Sequence, residues 1–497
     1  MFDLQHAHLH RLHFGFAACA LALALTGCAA VGPSFVKPTP TAPDNWTSWR
    51  SGDASLRIPT EAAQALPAQW WLAFNDATLD ALQRRAFDAS PDLQTATLRF
   101  AQARAQRSTV AAQRGPEVNA SGSATRQRQS ESGASTRMLG IMGADPSMTE
   151  LLAEPFTLYQ AGFDASWELD LWGRVRRSVE AADADVDQQA ALLDLARLSL
   201  ASDVARNYFE LRTAQRQIRL MREDIAALED RAGLLQARVD GGVLDHTDLQ
   251  RQRAELAALK AQLPPLLAQE AANANQIALL LGERPGALQA ELAPREADAR
   301  TALPDLALGL PSEVALRRPD IRAAEARLHS ATANIGIAKA NLYPSIRLGA
   351  KFGFESYLSG EFSDWGSRAW SVGPSLNLPI FDHGRRTATV QLRELQQQEA
   401  AVNYQKTVLQ AWQEIDDALS AYSAEQQQVQ ELKTRSDAAS DAYRLVQARY
   451  DGGVNDFTAV LDAQRGYLQA RRDLVGSEGR LATRFITVNK ALGNGPM

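Results

Sequence analysis

Cysteine is almost absent: the 497 residues hold two, Cys19 and Cys28. Nothing after position 28 carries a thiol, which excludes a disulfide framework and a thiolate-bound metal from the body of the chain. Histidine is scarce as well. Four of the seven crowd the extreme N-terminus, and His246, His329 and His383 each stand alone. None has a second ligand at helical or hairpin spacing, so no metal site is expected. Basic charge is not in excess; the formal net charge of −6 gives no footprint for nucleic acid. There is no nucleophile–base constellation and no phosphate loop, so no catalytic residue is assigned and no enzyme is expected. Long apolar runs are missing too. The run at residues 14–27 (FGFAACALALALTG) is too short for a permanent transmembrane helix. Helix breakers are the last absence. From Val175 to Val239 there is no proline, and Gly233 is the only glycine. Such a stretch supports an unbroken helix of roughly 95 Å at about 1.5 Å per residue.

What the chain does have is a second copy of itself. QARVDGGVLDHTDL (236–249) and QARYDGGVNDFTAV (447–460) agree at nine of fourteen positions, at an offset of 211. The same offset relates Gly162 to Gly373, Gly173 to Gly384 and Arg174 to Arg385. Upstream the offset is 228: Pro91 pairs with Pro319, Arg99 with Arg327 and Pro116 with Pro344. An insertion of 17 residues therefore lies between positions 116 and 162. A period this long marks a repeat architecture. Each copy is expected to carry a long helix (Val175–Val239; about Arg385–Tyr450), a turn at Asp-Gly-Gly (240–242; 451–453) and a returning helix (247–281; 457–492). Pro264-Pro265 is expected to interrupt the first return.

Between the helical parts the apolar period falls from that of a helix to two. Strands are expected at about 116–127, 156–171, 344–356 and 368–381. In the last, Trp370, Val372, Leu376 and Ile380 alternate with Ser371, Gly373, Ser375 and Asn377. Ten or so residues per strand, with aromatic ends to the apolar face, suit a transmembrane β-barrel; a soluble sandwich alternates in the same way. Four strands cannot close a membrane barrel, and an open edge in lipid leaves backbone groups unpaired, so an oligomer is required. Three copies give twelve strands.

The N-terminal run suits the apolar region of a secretory signal. Leu25-Thr26-Gly27-Cys28 resembles a lipobox, with Cys28 the residue that would take the lipid. The chain then divides into a signal peptide (1–27), a lipid anchor and proline-rich linker (28–65), a first repeat (66–282, tip about 240–247), a connector (283–311) and a second repeat (312–497, tip about 451–458). Together the LTGC sequence, the following AAVGPSFVKP, RRPDIRAAEARL with NLYPSIRL, and YDGGVNDFTAVLDAQR resemble the outer-membrane efflux lipoproteins of the NodT type, relatives of OprM and TolC. The resemblance covers nearly all of the chain after the leader. It implies a mixed α and β fold, internally duplicated. Long antiparallel helical hairpins would form a periplasmic α-barrel, and four strands per chain a trimeric 12-stranded transmembrane β-barrel. It implies an exit duct that exports drugs or other small molecules from a Gram-negative cell. The partners would be a periplasmic adaptor (membrane fusion) protein, an inner-membrane transporter of the resistance–nodulation–division class, and outer-membrane lipid. No cofactor is implied beyond the covalent lipid on Cys28. A type I secretion or heavy-metal export duct shares the fold, and a periplasmic coiled-coil scaffold without a pore is the remaining reading. By the same resemblance, the periplasmic gate falls at Asp248 in the first tip and at Tyr450, Asn455, Thr458 and Asp462 in the second. Asp248 and Asp462 also suit a solvated first helical turn. Gly241, Gly242, Gly452 and Gly453 are candidates for adaptor docking, or serve only to turn the chain.

Overall fold

The structure of the protein is a computed structural model. It describes residues 30–40, 42–43, 45–46, 52–56, 68–134, 137–143, 145–242, 245–295, 306, 308 and 311–495. Cys28 and the signal segment lie outside the described residues.

Helix α1 (Ala77–Ala89) is capped by Asp76, whose carboxylate accepts from the amides of Thr78 and Leu79. Pro91 opens α2 (Pro91–Ala112), where a missing amide proton costs nothing. Then follow β1 (Glu117–Gln127), two short helices α3 (Arg137–Ile141) and α4 (Pro146–Ala153) in the stretch that carries the insertion, and β2 (Phe156–Leu169). The first helical hairpin is α5 (Arg174–Asp240) and α6 (His246–Leu280). The second half repeats the order: α7 (Pro311–Arg317), α8 (Pro319–Ala340), β3 (Ser345–Ser356), β4 (Arg368–Asn377), α9 (Arg385–Asp451) and α10 (Phe457–Ala491).

The boundaries repeat at the two offsets read from the sequence. Adding 211 to the ends of α5 and α6 gives the ends of α9 and α10, and adding 228 to those of α2 gives those of α8. The hairpin registers obey the same rule: Gly122 faces Ala161, and Ala350 (122 shifted by 228) faces Val372 (161 shifted by 211). Two expectations need correction. Helix α6 is not interrupted at Pro264-Pro265 but runs through them. The carbonyls left without amide donors belong to Lys260 and Ala261, both exposed residues. Leu256, Leu259, Leu263 and Leu266 meanwhile hold α6 to Met221, Ile225 and Leu228 of α5. The fourth strand stops at Asn377 rather than about 381, since Pro379 has no amide to add to a ladder.

The chain forms two compact units that do not follow the repeats; each repeat contributes to both. One unit holds the described residues up to Val36 with Ala103–Val186 and Arg327–Ala400. Its centre is a single antiparallel sheet in the order β1-β2-β3-β4, so β1 and β4 are both open edges. The apolar face is uncovered: Trp370 and Val372 are 70% and 72% exposed. The opposite face is polar and internally bonded. Ser123 donates to Gln160 (3.3 Å), Gln160 to Glu355 (2.6 Å), and Arg347 lies 3.5 Å from Glu168. Gly162 faces Gly353 on that polar side. A Cβ on Gly353 would stand 2.5 Å from the Ala161 carbonyl oxygen and 2.8 Å from the Gly162 Cα. The sheet is thus bent toward its polar face along the β2–β3 seam. The N-terminal segment docks at the end of β2. Val31 N–H donates to the Trp172 carbonyl (3.0 Å), and Phe35 stacks on His329 at 4.2 Å.

The other unit comprises Lys37–Gln102, Asp187–Ala326 and Ala401–Met497. Its core gathers Trp70, Phe74, Leu79, Tyr208 and Phe485 around α1, α5 and α10, with Phe74 4.6 Å from Phe209 and 5.4 Å from Phe485. The connector joins this core through Leu288, Leu292 and Leu308. The same unit contains both hairpin tips. None of the described helices is long and apolar enough to cross a membrane.

Candidate gate at the hairpin tips

Each tip is a helix end, a glycine turn and a capped restart. Gly242 and Gly453 adopt φ of +69° and +73°, the left-handed region that favours glycine. In the second tip Val454 N–H reaches the Arg449 carbonyl (2.8 Å) and Gly453 N–H that of Tyr450 (2.9 Å), a Schellman closure. Gly241 and Gly452 do not have positive φ. All four glycines are exposed. The helices restart on Asp245, which accepts from Thr247 N–H, and Asp456, which accepts from Ala459 N–H at 2.9 Å. This explains the second aspartate in the repeated motif: it is an N-cap.

The two tips are fastened to each other. Leu235, Val239 and Leu249 of the first pack against Phe457, Val460 and Leu461 of the second. Around this small core runs a set of arginine contacts. Arg231 on α5 donates to Gln464 (3.0 Å), to the Tyr443 hydroxyl (2.8 Å) and to Gln447 (2.7 Å), three residues of the second hairpin. Arg251 donates to Thr458 Oγ1 at 2.8 Å, and Arg238 to the Tyr450 hydroxyl at 3.2 Å. In the reverse sense, Arg465 on α10 pairs with Glu255 on α6 at 2.6 Å.

Of the residues expected at the gate, Tyr450 and Thr458 therefore lie in contacts that join the tips, and Tyr450 also packs on Phe457. Asp462 is largely exposed, with Arg465 3.9 Å away. Asp248 has Arg251 at 3.8 Å. Asn455 is half-buried just before the Asp456 cap. Sequence reasoning missed Arg231, read Arg251 only as a position where the copies differ, and missed Arg465 and Glu255. The signal was nonetheless present. Positions 211 apart from these hold Ala442, Asp462, Ala254 and Gly466, so the links occur where the two copies differ in charge.

Further along the same helices a buried acid joins α5 to α10. Asp224 is 4% exposed, with Arg471 at 3.3 Å and Arg472 at 3.9 Å. Its second oxygen has no hydrogen-bond donor. Burial pushes this carboxyl above its usual 3.8, and the two guanidinium groups only partly oppose the rise. As pH climbs past 3.8 the unfolded chain releases its proton before the folded one does. This group therefore lowers stability progressively until its folded pKa is passed. Asp224→Asn is expected to remove that decline. Its thermal midpoint should exceed that of the wild type near neutral pH and converge with it in acid.

The sequence profile described as "Outer membrane efflux protein" matches residues 82–283 and 310–494. The chain belongs to the outer membrane efflux protein family. Outer membrane protein OprJ of Pseudomonas aeruginosa is 32% identical over 484 residues, covering 97% of this chain and 96% of OprJ. The pyoverdine export outer membrane protein OpmQ of Pseudomonas putida is 32% identical over 478 residues, covering 96% of each. Among solved structures, the outer-membrane channel OprN superimposes with a TM-score of 0.83 at 31% identity, over 94% of this chain and 99% of OprN. The open state of the Neisseria gonorrhoeae MtrE channel does so at 0.77 and 29%, over 94% and 98%. This efflux-family chain is thus an outer-membrane transport duct, and its family is one of channels rather than enzymes.

Proposed function

We propose that three copies pair β1 of each with β4 of the next to close a twelve-stranded barrel, with the polar faces lining a water-filled lumen. The helical hairpins of the three copies continue it as a periplasmic barrel. The duct is the exit of a tripartite pump for drugs or other small molecules, fed by an inner-membrane transporter of the resistance–nodulation–division class through a periplasmic adaptor. The observation that carries this reading is the sheet: four strands of 10 to 14 residues, two open edges and an uncovered apolar face. In lipid, an open edge costs several kcal/mol per unpaired backbone group. The bend toward the polar face is the curvature a closed barrel needs. Cys28 carries the lipid. Ala30 lies against Gly173, where β2 gives way to α5, and two residues span at most about 7 Å. The acyl chains therefore enter the membrane at the helix-side end of the sheet.

The tips are the gate. The second hairpin moves, and the Arg231, Arg238 and Arg251 contacts hold it against the first. Three copies of Asp462 form an acidic ring at the opening, and the exposed tip glycines present the backbone to the adaptor. Purified protein is expected to run as a heat-modifiable trimer from outer-membrane fractions and to conduct cations in planar bilayers. Asp462→Ala should lower the cation preference severalfold. An unchanged preference would remove the ring from the mechanism, and a monomer in the soluble fraction would refute the duct.

A further inference from the structure

The apolar face of the sheet carries two charges. Every second strand residue belongs to this face, and across all four strands its only charged side chains are Arg126 and Arg368. In register, Arg126 stands opposite Thr157 and Arg368 opposite Phe354. Both lie at the strand ends away from the helices, and both belong to the open edge strands. A guanidinium facing lipid is costly at the bilayer midplane and nearly free of cost at its rim. The rim is therefore where such residues persist, and the outer rim is where they occur here. Arg368 is held in place: its guanidinium stacks 4.1 Å over the exposed Trp365 ring and donates to the Trp365 carbonyl at 2.7 Å. Neither Arg126 nor Arg368 has an acidic partner among the described residues.

The repeat supplies the register of the seam between copies. The β2–β3 pairing joins the first strand hairpin to the second, and β4 against β1 of the next copy joins the second to the first. Tyr159 faces Ser356 and Ala161 faces Phe354. Shifting the β2 residues forward by 211 and the β3 residues back by 228 sets Trp370 opposite Arg128 of the next copy, and Val372 opposite its Arg126. Arg128 of that copy then becomes a diagonal neighbour of Arg368, about 7–8 Å away. Its Arg126 follows on the same face. Arg128 shares its charge with Glu131 at 2.7 Å; the other two are free to bind.

We propose that Arg368 of one copy and Arg126 and Arg128 of the next form a binding site for the phosphate groups of an anionic lipid headgroup in the outer leaflet. The site is completed by the partner copy, so it rests on the trimeric barrel proposed above. Guanidinium forks match phosphate oxygens in pairs. Trp365 and Trp370 mark the headgroup level, and the apolar face below them receives the acyl chains.

Two measurements test it. Ser123→Cys combined with Ser375→Cys probes the register on the polar face, away from the site. Oxidation is expected to link neighbouring subunits into a covalent trimer. A trimer that links position 375 to position 121 or 125 instead overturns the register and the site. Failure to form any trimer overturns the duct reading rather than this one. In the second measurement, purified trimer is titrated with bisphosphorylated lipid A, with the same lipid after enzymatic dephosphorylation, and with inorganic phosphate, and bound species are counted by native mass spectrometry. The wild type is expected to hold up to three lipid A molecules per trimer. The triple variant R126Q/R128Q/R368Q, still trimeric, should bind at least tenfold more weakly. Equal binding by the variant, or equal binding of the dephosphorylated lipid, overturns the proposal. Inorganic phosphate bound as tightly as lipid A would show a free-anion site and overturn the lipid assignment.

Discussion

Gly353→Val is expected to abolish the outer-membrane trimer, while Gly349→Val is expected to leave it largely intact. Both glycines lie on the polar face of the sheet, and valine is a good strand residue. Their surroundings decide the difference. A Cβ at Gly353 falls 2.5 Å from the Ala161 carbonyl oxygen and 2.8 Å from the Gly162 Cα, which are backbone atoms of the paired strand. They cannot rotate away, so β2 and β3 must separate or unbend. At Gly349, on the same strand and between two neighbours, the nearest atom is the Gly373 carbonyl oxygen at 3.9 Å, an ordinary contact. Immunoblots of outer-membrane fractions with and without heating read the outcome. Loss of the Gly353 variant with retention of the Gly349 variant would confirm that the β2–β3 bend is required for assembly. Equal survival of both would show that the seam tolerates opening.

Arg231→Ala is expected to open the duct. Its guanidinium makes three hydrogen bonds across the tips, to Gln464, Tyr443 and Gln447. It also lies 5.9 Å from the Tyr443 ring centroid. A hydrogen bond to a charged group contributes about 1.5–3 kcal/mol. These bonds share one partly buried cation and part of the loss is recovered by water, so about 2–3 kcal/mol for the whole set is a fair magnitude. At 1.4 kcal/mol per tenfold change, that moves a closed-to-open equilibrium by roughly 30- to 150-fold. Single-channel recordings should show higher conductance or longer open times. Cells carrying the variant should become sensitive to a bulky antibiotic that the intact outer membrane excludes. Arg231→Lys should recover little, since an ammonium cannot span three acceptors in one plane. Wild-type conductance in Arg231→Ala would mean that the apolar contacts of Leu235, Val239, Phe457 and Leu461 close the tip without it.

The fold was legible in the sequence to an unusual degree because it is stated twice. Helix ends that one copy leaves uncertain are pinned by the other, and the offsets 211 and 228 recur in the ends of α2, α5, α6, α8, α9 and α10. The misreadings were local. Proline arithmetic alone breaks α6 at Pro264-Pro265, because a single sequence does not show that the freed carbonyls belong to exposed residues. At the tip, Tyr450 and Thr458 could be placed, but their partners could not. Arg238 and Arg251 belong to the other hairpin, more than two hundred residues away. Only three-dimensional packing brings these together. A search for charge at positions where the copies disagree picks out Arg251, which stands against Asp462, but not Arg238, which repeats as Arg449.

The matched helix lengths have a consequence for how such a duct can change. Helices α5 and α9 have 67 residues each, and α6 and α10 have 35 each. Because all four meet at tips that are fastened to one another, the reach of the molecule across the periplasm is encoded four times in one gene. Lengthening one helix alone would carry its tip past its neighbour and part Arg231 from Tyr443 and Arg465 from Glu255. Adaptation to a wider periplasm would require four insertions of about seven residues, two helical turns each, so that every apolar face returns to its original direction. Reach is therefore a trait that changes in large coordinated steps or hardly at all, whereas the connection between β1 and β2 already differs by 17 residues from its counterpart between β3 and β4.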